Sequence, residues 1–263
     1  MCITHSVGLH GLNQFTDVKM VQVLLNENLE RLDSAEPLEV DGHIGKGTND
    51  RIGEFQSQVM KIAKPDKKVD PGGHTLEELR AGLTEDLTQN KMKGIMPRTT
   101  DDLLDRYYDL IVDTLPGYQI NTPLRIAHFL AQVGVECGDL RWMQELDSGE
   151  YLNGNDDLGN SEPGDGPRFK GRGLLQLTGR LNYTAYGDYC DRDFLTDTKS
   201  TLIATDANLA VDSACWYWTI LKNVNPLADA DNIHAVTHKV NGGYNDLDER
   251  KAHLRRAKCL LVL

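Results

Sequence analysis

The feature that most restricts the fold is a strongly periodic helical segment followed by a long stretch with no periodicity. From Leu124 to Cys137 the apolar residues Ala127, Leu130 and Val133 fall on one helical face. After a short connection, Ser148 to Arg172 is rich in Gly, Asn, Asp and Pro. An irregular segment of that length inside a compact domain is either functional or unstructured. Around it, three- and four-residue spacing returns at Leu103, Leu104, Tyr107, Leu110 and Ile111, and helices are expected over Asn208–Leu221, Ile233–Val240 and Leu247–Leu261. Few segments alternate as strands do, so this half is expected to be mainly α.

The first third has its own pattern. Val18, Val21, Leu24, Leu25 and Leu29 mark one helix, opened by the capping chemistry of Thr16-Asp17. Thr48-Asn49-Asp50 leads a second helix, carried by Ile52, Phe55, Val59 and Ile62, and Thr75–Leu79 begins a third. Val40–Gly45 reads as a tight turn with two glycines able to take positive φ, and Asp70–Gly73 as another. The expected organisation is a three-helix unit over residues 1–83, a linker over 84–97 and a larger domain over 98–263.

Net charge is −12 and neither half is basic, which argues against a nucleic-acid partner held by its phosphates. The N-terminus lacks the pattern of a secretory signal, and no apolar run is long enough to cross a membrane. The five cysteines have no Cys-x-x-Cys spacing and read as free, mostly buried thiols of a protein folded in a reducing cytoplasm. A monomer is expected.

Glu136 lies in the last turn of the Leu124–Cys137 segment with Gly138 placed to cap it. The negative end of a helix dipole favours a protonated carboxyl, which a general acid requires. A second carboxylate is needed across a scissile glycosidic bond; Glu145, Asp147 and Glu150 all stand near enough in sequence. The stretch from Arg168 to Tyr183 is more specific. Gln176, Thr178 and Asn182 are neutral hydrogen-bonding groups suited to sugars, and Gly171, Gly173 and Gly179 permit close backbone approach. A phosphate loop is disfavoured, because the Lys-Ser/Thr ending and the strand context are absent. His234 and His238 are four apart but have no Glu between them in the His-Glu-x-x-His manner, so neither a metal nor a cofactor is expected. Trp216, Tyr217 and Trp218 divide between core and a sugar cleft.

The run Arg168-Phe169-Lys170-Gly171-Arg172-Gly173 through Asn182-Tyr183 resembles the signature of glycoside hydrolase family 19, shared by chitinases and phage or bacterial lysozymes. Asp157–Asn160, Gly164-Asp165-Gly166 and Phe129–Gln132 resemble its endolysin branch. The resemblance implies Glu136 as general acid, Glu145 as general base, Thr178 holding the attacking water, and Gln176 and Asn182 binding sugar. It further implies that Asn241, in Val240-Asn241-Gly242-Gly243, contacts substrate and that Arg250 supports the carboxylates. Val135 stands where the family has His, Gly138-Asp139 where it has Gly-Gly, and Tyr244-Asn245 where chitinases have Glu-Cys; the last departure argues against a plant-type chitinase.

Residues 21–76 resemble a type 1 peptidoglycan-binding domain, through Val21-Gln22, Leu24-Leu25, Asp41-Gly42, Ile44-Gly45, Phe55-Gln56 and Asp70-Pro71. Together the resemblances imply a lysozyme-like α-helical catalytic domain preceded by a small three-helix wall-binding domain. The implied protein is an endolysin, an inverting N-acetylmuramidase that cleaves peptidoglycan for host-cell lysis. It would wait in the host cytoplasm for a holin-type pore. The alternatives are a chitinase, a secreted antibacterial muramidase and a non-catalytic wall-binding protein.

Overall fold

The computed structural model describes residues 2–33 and 36–263. The chain divides into two units, one of residues 1–98 together with 251–263, the other of residues 99–250.

The first unit contains α1 (Phe15–Asn26), α2 (Lys46–Gln58), α3 (His74–Ala81) and α4 (Gln89–Ile95), and a two-stranded antiparallel ribbon of β1 (Val7–Gly8) and β2 (Lys68–Val69), with Val7 opposite Val69. Val18, Val21, Leu24, Leu25, Ile52, Phe55 and Leu79 form its core. Asp17 does not cap α1, whose N-cap Gln14 has no side-chain bond. Instead the buried Asp17 carboxylate accepts from the Thr4 and His5 amides, both at 2.9 Å, and fastens the N-terminal segment. Of the two turn glycines only Gly42 takes a positive φ, 75°, and a Cβ there would lie 2.5 Å from the Phe15 ring.

Two buried glutamines brace the loops. Gln22 donates to Asp41, the His43 carbonyl and Thr48 and accepts from the Gly42 amide. Gln56 repeats the arrangement, donating to Asp66, the Lys68 carbonyl and Thr75 and accepting from the Lys67 amide. The polar residues behind the wall-binding resemblance therefore satisfy buried backbone and hold turns, which any domain of this shape needs.

The unit that contains residues 1–83 extends beyond them, to residue 98 and to residues 251–263. Residues 84–97, read as a linker, hold α4, and the Lys91 side chain inside it is fully buried, its Nζ donating to the Thr84 and Asp86 carbonyls at 2.7 Å. Burial lowers the Lys91 ammonium below the usual lysine range. The chain's last residues close the same unit: Arg256 donates to the Ile95 carbonyl, and Cys2 is joined to Cys259 by a disulfide. Free thiols thus remain only at Cys137, Cys190 and Cys215, and the inference of a reducing compartment from five free thiols loses its basis. Pairing was hidden because the two cysteines stand 257 residues apart.

The second unit contains α5 (Asp101–Thr114), α6 (Pro123–Glu136), α7 (Asp165–Arg168), α8 (Arg180–Cys190), α9 (Asp197–Ser200), α10 (Leu202–Thr205), α11 (Ala207–Trp216), α12 (Asn225–Asp229) and α13 (Ile233–Asn241); α14 (Leu247–Leu260) starts here and ends in the first unit. Thr122 caps α6 by accepting from the Arg125 amide, and Pro123 opens its first turn. Every residue from Ala127 to Gly134 is buried, so α6 is enclosed on all sides rather than amphipathic, with Phe129 edge-on to Trp218 at 5.4 Å. The α11 helix continues as one π turn over Tyr217–Leu221.

Replacing Cys2 by Ser, or reducing the bridge, is expected to lower the unfolding free energy by about 3 kcal/mol. Denaturant titration with and without reductant measures it; coincident curves would show that the closure contributes nothing.

Candidate active site

The irregular stretch is ordered by buried polar residues. Asn160 donates to the Leu152 carbonyl at 3.1 Å and accepts from the Arg180 amide at 2.9 Å. Arg172 donates to Gln144, the Arg168 carbonyl and the Tyr183 hydroxyl. The buried Asp165 carboxylate pairs with Arg180 and Arg168. Burial pushes the Asp165 carboxyl upward, but hydrogen bonds from Arg180 and the Glu162 amide outweigh it and hold the group below the usual carboxylate range.

This frame sets one wall of a cleft of about 750 Å³. Glu145 is positioned by its amide, which donates to the Gly171 carbonyl at 2.9 Å, while the Gly171 amide donates to Glu145 Oε2 at 3.2 Å. The Tyr151 hydroxyl donates to Glu145 Oε1, and that bond pushes the phenol up to about 12. Neither Asp147 nor Glu150 lines the cleft: Asp147 accepts from the Gly149 amide and Glu150 from Asn153.

Gln176 closes a tight loop in the left-handed region, φ 49°, between the reciprocal backbone bonds of Arg172 and Leu177. Its Nε2 is occupied by the Gly173 and Trp142 carbonyls, which leaves Oε1 as an acceptor. Thr178 donates its hydroxyl proton to the Gln176 carbonyl at 2.7 Å, so its oxygen faces the cleft as an acceptor. Asn182 donates to the Thr178 carbonyl, leaving Oδ1. A Cβ at Gly171 would come within 2.9 Å of Gln176 Oε1 and 3.3 Å of Thr178 Oγ1, which is the close approach requiring glycine there.

The rest of the lining comes from helix ends. Glu136 is the last residue of α6, and Gly138, Asp139 and Leu140 follow with φ of 59°, 62° and 70°, turning the chain away. Arg250, 2% exposed, donates from Nη2 to Glu136 Oε1 at 2.7 Å, from Nη1 to Gln132 Oε1 at 2.6 Å and from Nε to the Asn245 carbonyl at 3.1 Å. Gln132 and Glu136 are one helical turn apart, so one guanidinium grips both. Among the described residues Glu136 Oε2 has no hydrogen bond. Asn241 lines the same cleft, and its buried Nδ2 has no partner among the described residues.

The cleft therefore brings together Glu136, Glu145, Gln176, Thr178, Asn182 and Asn241, while Arg250 stands behind Glu136. Sequence reasoning gave no role to Gln132, Tyr151, Lys222 or Lys239. Gln132 had a signal in its i, i+4 spacing to Glu136; the others had none. Of the three aromatics at 216–218, Trp216 and Trp218 are buried, whereas Tyr217 lines the cleft with its hydroxyl donated to the Val240 carbonyl. Burial, with Glu136 nearby, pushes Tyr217 up to about 12, and burial beside Lys239 lowers Lys222. His234 and His238 both lie against the Tyr244 ring, at 6.1 and 5.5 Å between ring centres.

Residues 128–245 match the glycoside hydrolase family 19 model described as chitinase class I. A glycosyl hydrolase family 19 domain-containing protein of Haemophilus influenzae is 37% identical over 92 residues, 35% of this chain and 42% of that protein. An endochitinase of Arabidopsis thaliana is 32% identical over 118 residues, 45% of this chain and 39% of the relative. The chain thus spans about two fifths of the length of these relatives. Chitinase C of Streptomyces griseus superposes with a TM-score of 0.55 at 19% identity, covering 66% of this chain and 92% of that one. The fold is mainly α-helical and lysozyme-like, of the family 19 kind.

These findings overturn the endolysin reading. The matching family model is a chitinase model, the relatives include plant endochitinases, and the structures sharing the fold include chitinases. Peptidoglycan as substrate and partner is withdrawn, and with it the phage muramidase, host-cell lysis and the holin-type pore. The Tyr244-Asn245 departure did not separate the chain from plant chitinases. The family match lies outside residues 1–83, whose motif residues are core and loop braces, and those residues had tipped the choice of substrate.

Asp165→Asn is expected to destabilise the protein by about 3 kcal/mol, because Arg180 is left partly buried without its countercharge. The depressed Asp165 carboxyl contributes stability that is complete above the unfolded value near pH 4 and is lost as pH falls through the folded one. Wild type should therefore lose more stability than Asp165→Asn between about pH 5 and 2, as denaturant titrations at each pH would show; parallel losses would contradict this.

Proposed function

We propose that the chain is a chitinase: it hydrolyses the β-1,4 bonds of an N-acetylglucosamine polymer by general acid and base catalysis, with inversion. The observation that carries this reading is the meeting of Glu136 and Glu145 in one cleft, within the stretch that matches the chitinase model. The endochitinase relatives support the substrate class.

In this mechanism Glu136, held by Arg250 through Oε1, delivers a proton from Oε2 to the departing glycosidic oxygen. Glu145 removes a proton from a water that attacks the anomeric carbon from the other face. Thr178, having spent its own proton on the Gln176 carbonyl, accepts a hydrogen bond from that water. Tyr151 holds one Glu145 oxygen and orients the other. Room for the water requires a carboxylate separation of about 6.5–9.5 Å, wider than the roughly 5–5.5 Å of a retaining pair. Gln176 Oε1 and Asn182 Oδ1 accept from sugar hydroxyl or amide N–H groups, and Asn241 Nδ2 donates to an acetyl or hydroxyl oxygen. Arg250 is a positioning residue.

Digestion of chitin oligosaccharides by wild type and by Glu136→Gln, read by mass spectrometry, tests this. Shorter N-acetylglucosamine oligomers from wild type and a loss of at least about a thousandfold in kcat for the variant are expected. Intact oligomers with wild type would overturn the substrate, and undiminished cleavage by the variant would overturn the role of Glu136. Arg250→Lys keeps the charge but cannot grip Gln132 and Glu136 together, so kcat should fall by about tenfold or more with KM little changed. A change confined to KM would contradict a positioning role.

A further inference from the structure

The first unit carries a second pocket, of about 330 Å³, lined by Arg80, Lys251, Arg255 and Lys258 above the Cys2–Cys259 disulfide. No acidic side chain lines it, although the chain as a whole carries a net charge of −12. Lys251, Arg255 and Lys258 are spaced four and three residues apart on α14, so they share one helical face.

The two arginines give the stronger indication. Arg255 is half-buried, and among the described residues no hydrogen bond or ion pair engages it; its Nε is buried without a partner. Arg80 likewise has a buried, unpartnered Nε and one long hydrogen bond, 3.4 Å from Nη2, to a main-chain oxygen of Leu263, the last residue of the sequence. Elsewhere in the molecule partly buried arginines are matched: Arg125 by Asp229, Arg180 by Asp165, Arg250 by Glu136. Burying a guanidinium without an acceptor is unfavourable, and its planar fork suits an oxyanion better than water.

We infer that this pocket binds a phosphate group, with Arg80 and Arg255 as the forked donors and Lys251 and Lys258 adding charge. The volume leaves room for whatever carries the phosphate, so a free phosphate ion and a phosphate ester share the same recognition. The site is independent of the hydrolytic cleft and of the reading given to it.

Isothermal titration of the full chain with inorganic phosphate, and separately with glycerol phosphate, tests the inference against sodium chloride of matched ionic strength. Saturable binding of one phosphate per chain is expected, weakened about tenfold or more in Arg255→Gln and in Arg80→Gln, with Arg255→Lys between them. Tighter binding of glycerol phosphate than of the free ion would identify an ester as the ligand, and the reverse order the ion itself. Absence of any heat beyond the chloride control in wild type would overturn the site without recourse to variants. Equal affinity in wild type and in the folded Arg80→Gln, Arg255→Gln double variant would overturn the assignment of the arginines.

Discussion

The cleft that holds Glu136 and Glu145 depends on one buried cation. Arg250 is almost wholly enclosed, and its three donors reach Gln132 and Glu136 on α6 and the Asn245 carbonyl just before α14. A guanidinium so far from water is stable only if its donors are matched, and removing one partner of such a set costs several kcal/mol. The same contacts settle where Glu136 points. With Oε1 held by Arg250, rotation of the carboxyl is restricted, and Oε2 is left without a hydrogen bond among the described residues.

Around that anchor the molecule solves a second problem, which is how to keep a long irregular segment rigid. The stretch from Ser148 to Arg172 is too poor in apolar residues to be held by hydrophobic packing. Asn160, Asp165 and Arg172 do it instead, each placing side-chain polar atoms against backbone or countercharge. Glu145 and the loop of Gln176 and Thr178 are suspended from this network. The two parts of the cleft lining therefore rest on different physics, one on an enclosed helix and a buried ion pair, the other on satisfied polar groups.

Much of this was legible in the amino-acid order. Helical periodicity located α6, α13 and α14 to within a residue and the body of α5, and the Arg168–Tyr183 run pointed to the residues that gather at the cleft. What periodicity could not reveal was that α6 is buried on all sides, since His128, Gln132 and Gly134 break the apolar stripe yet lie inside. The disulfide and the role of α4 were hidden because both join parts of the chain distant in sequence. The substrate was misread for a different reason. Gln22, Asp41 and Gln56 look like part of a binding motif, but their side chains are consumed in bracing two turns.

The account stands or falls on two carboxylates acting from opposite faces of one sugar. Proton NMR of the products formed in the first moments of chitin hexasaccharide hydrolysis measures that directly, before the anomers interconvert. A water activated by Glu145 opposite a proton delivered by Glu136 predicts that the new reducing end appears first as the α anomer. First appearance of the β anomer would mean retention of configuration, and would contradict the mechanism whatever the rate.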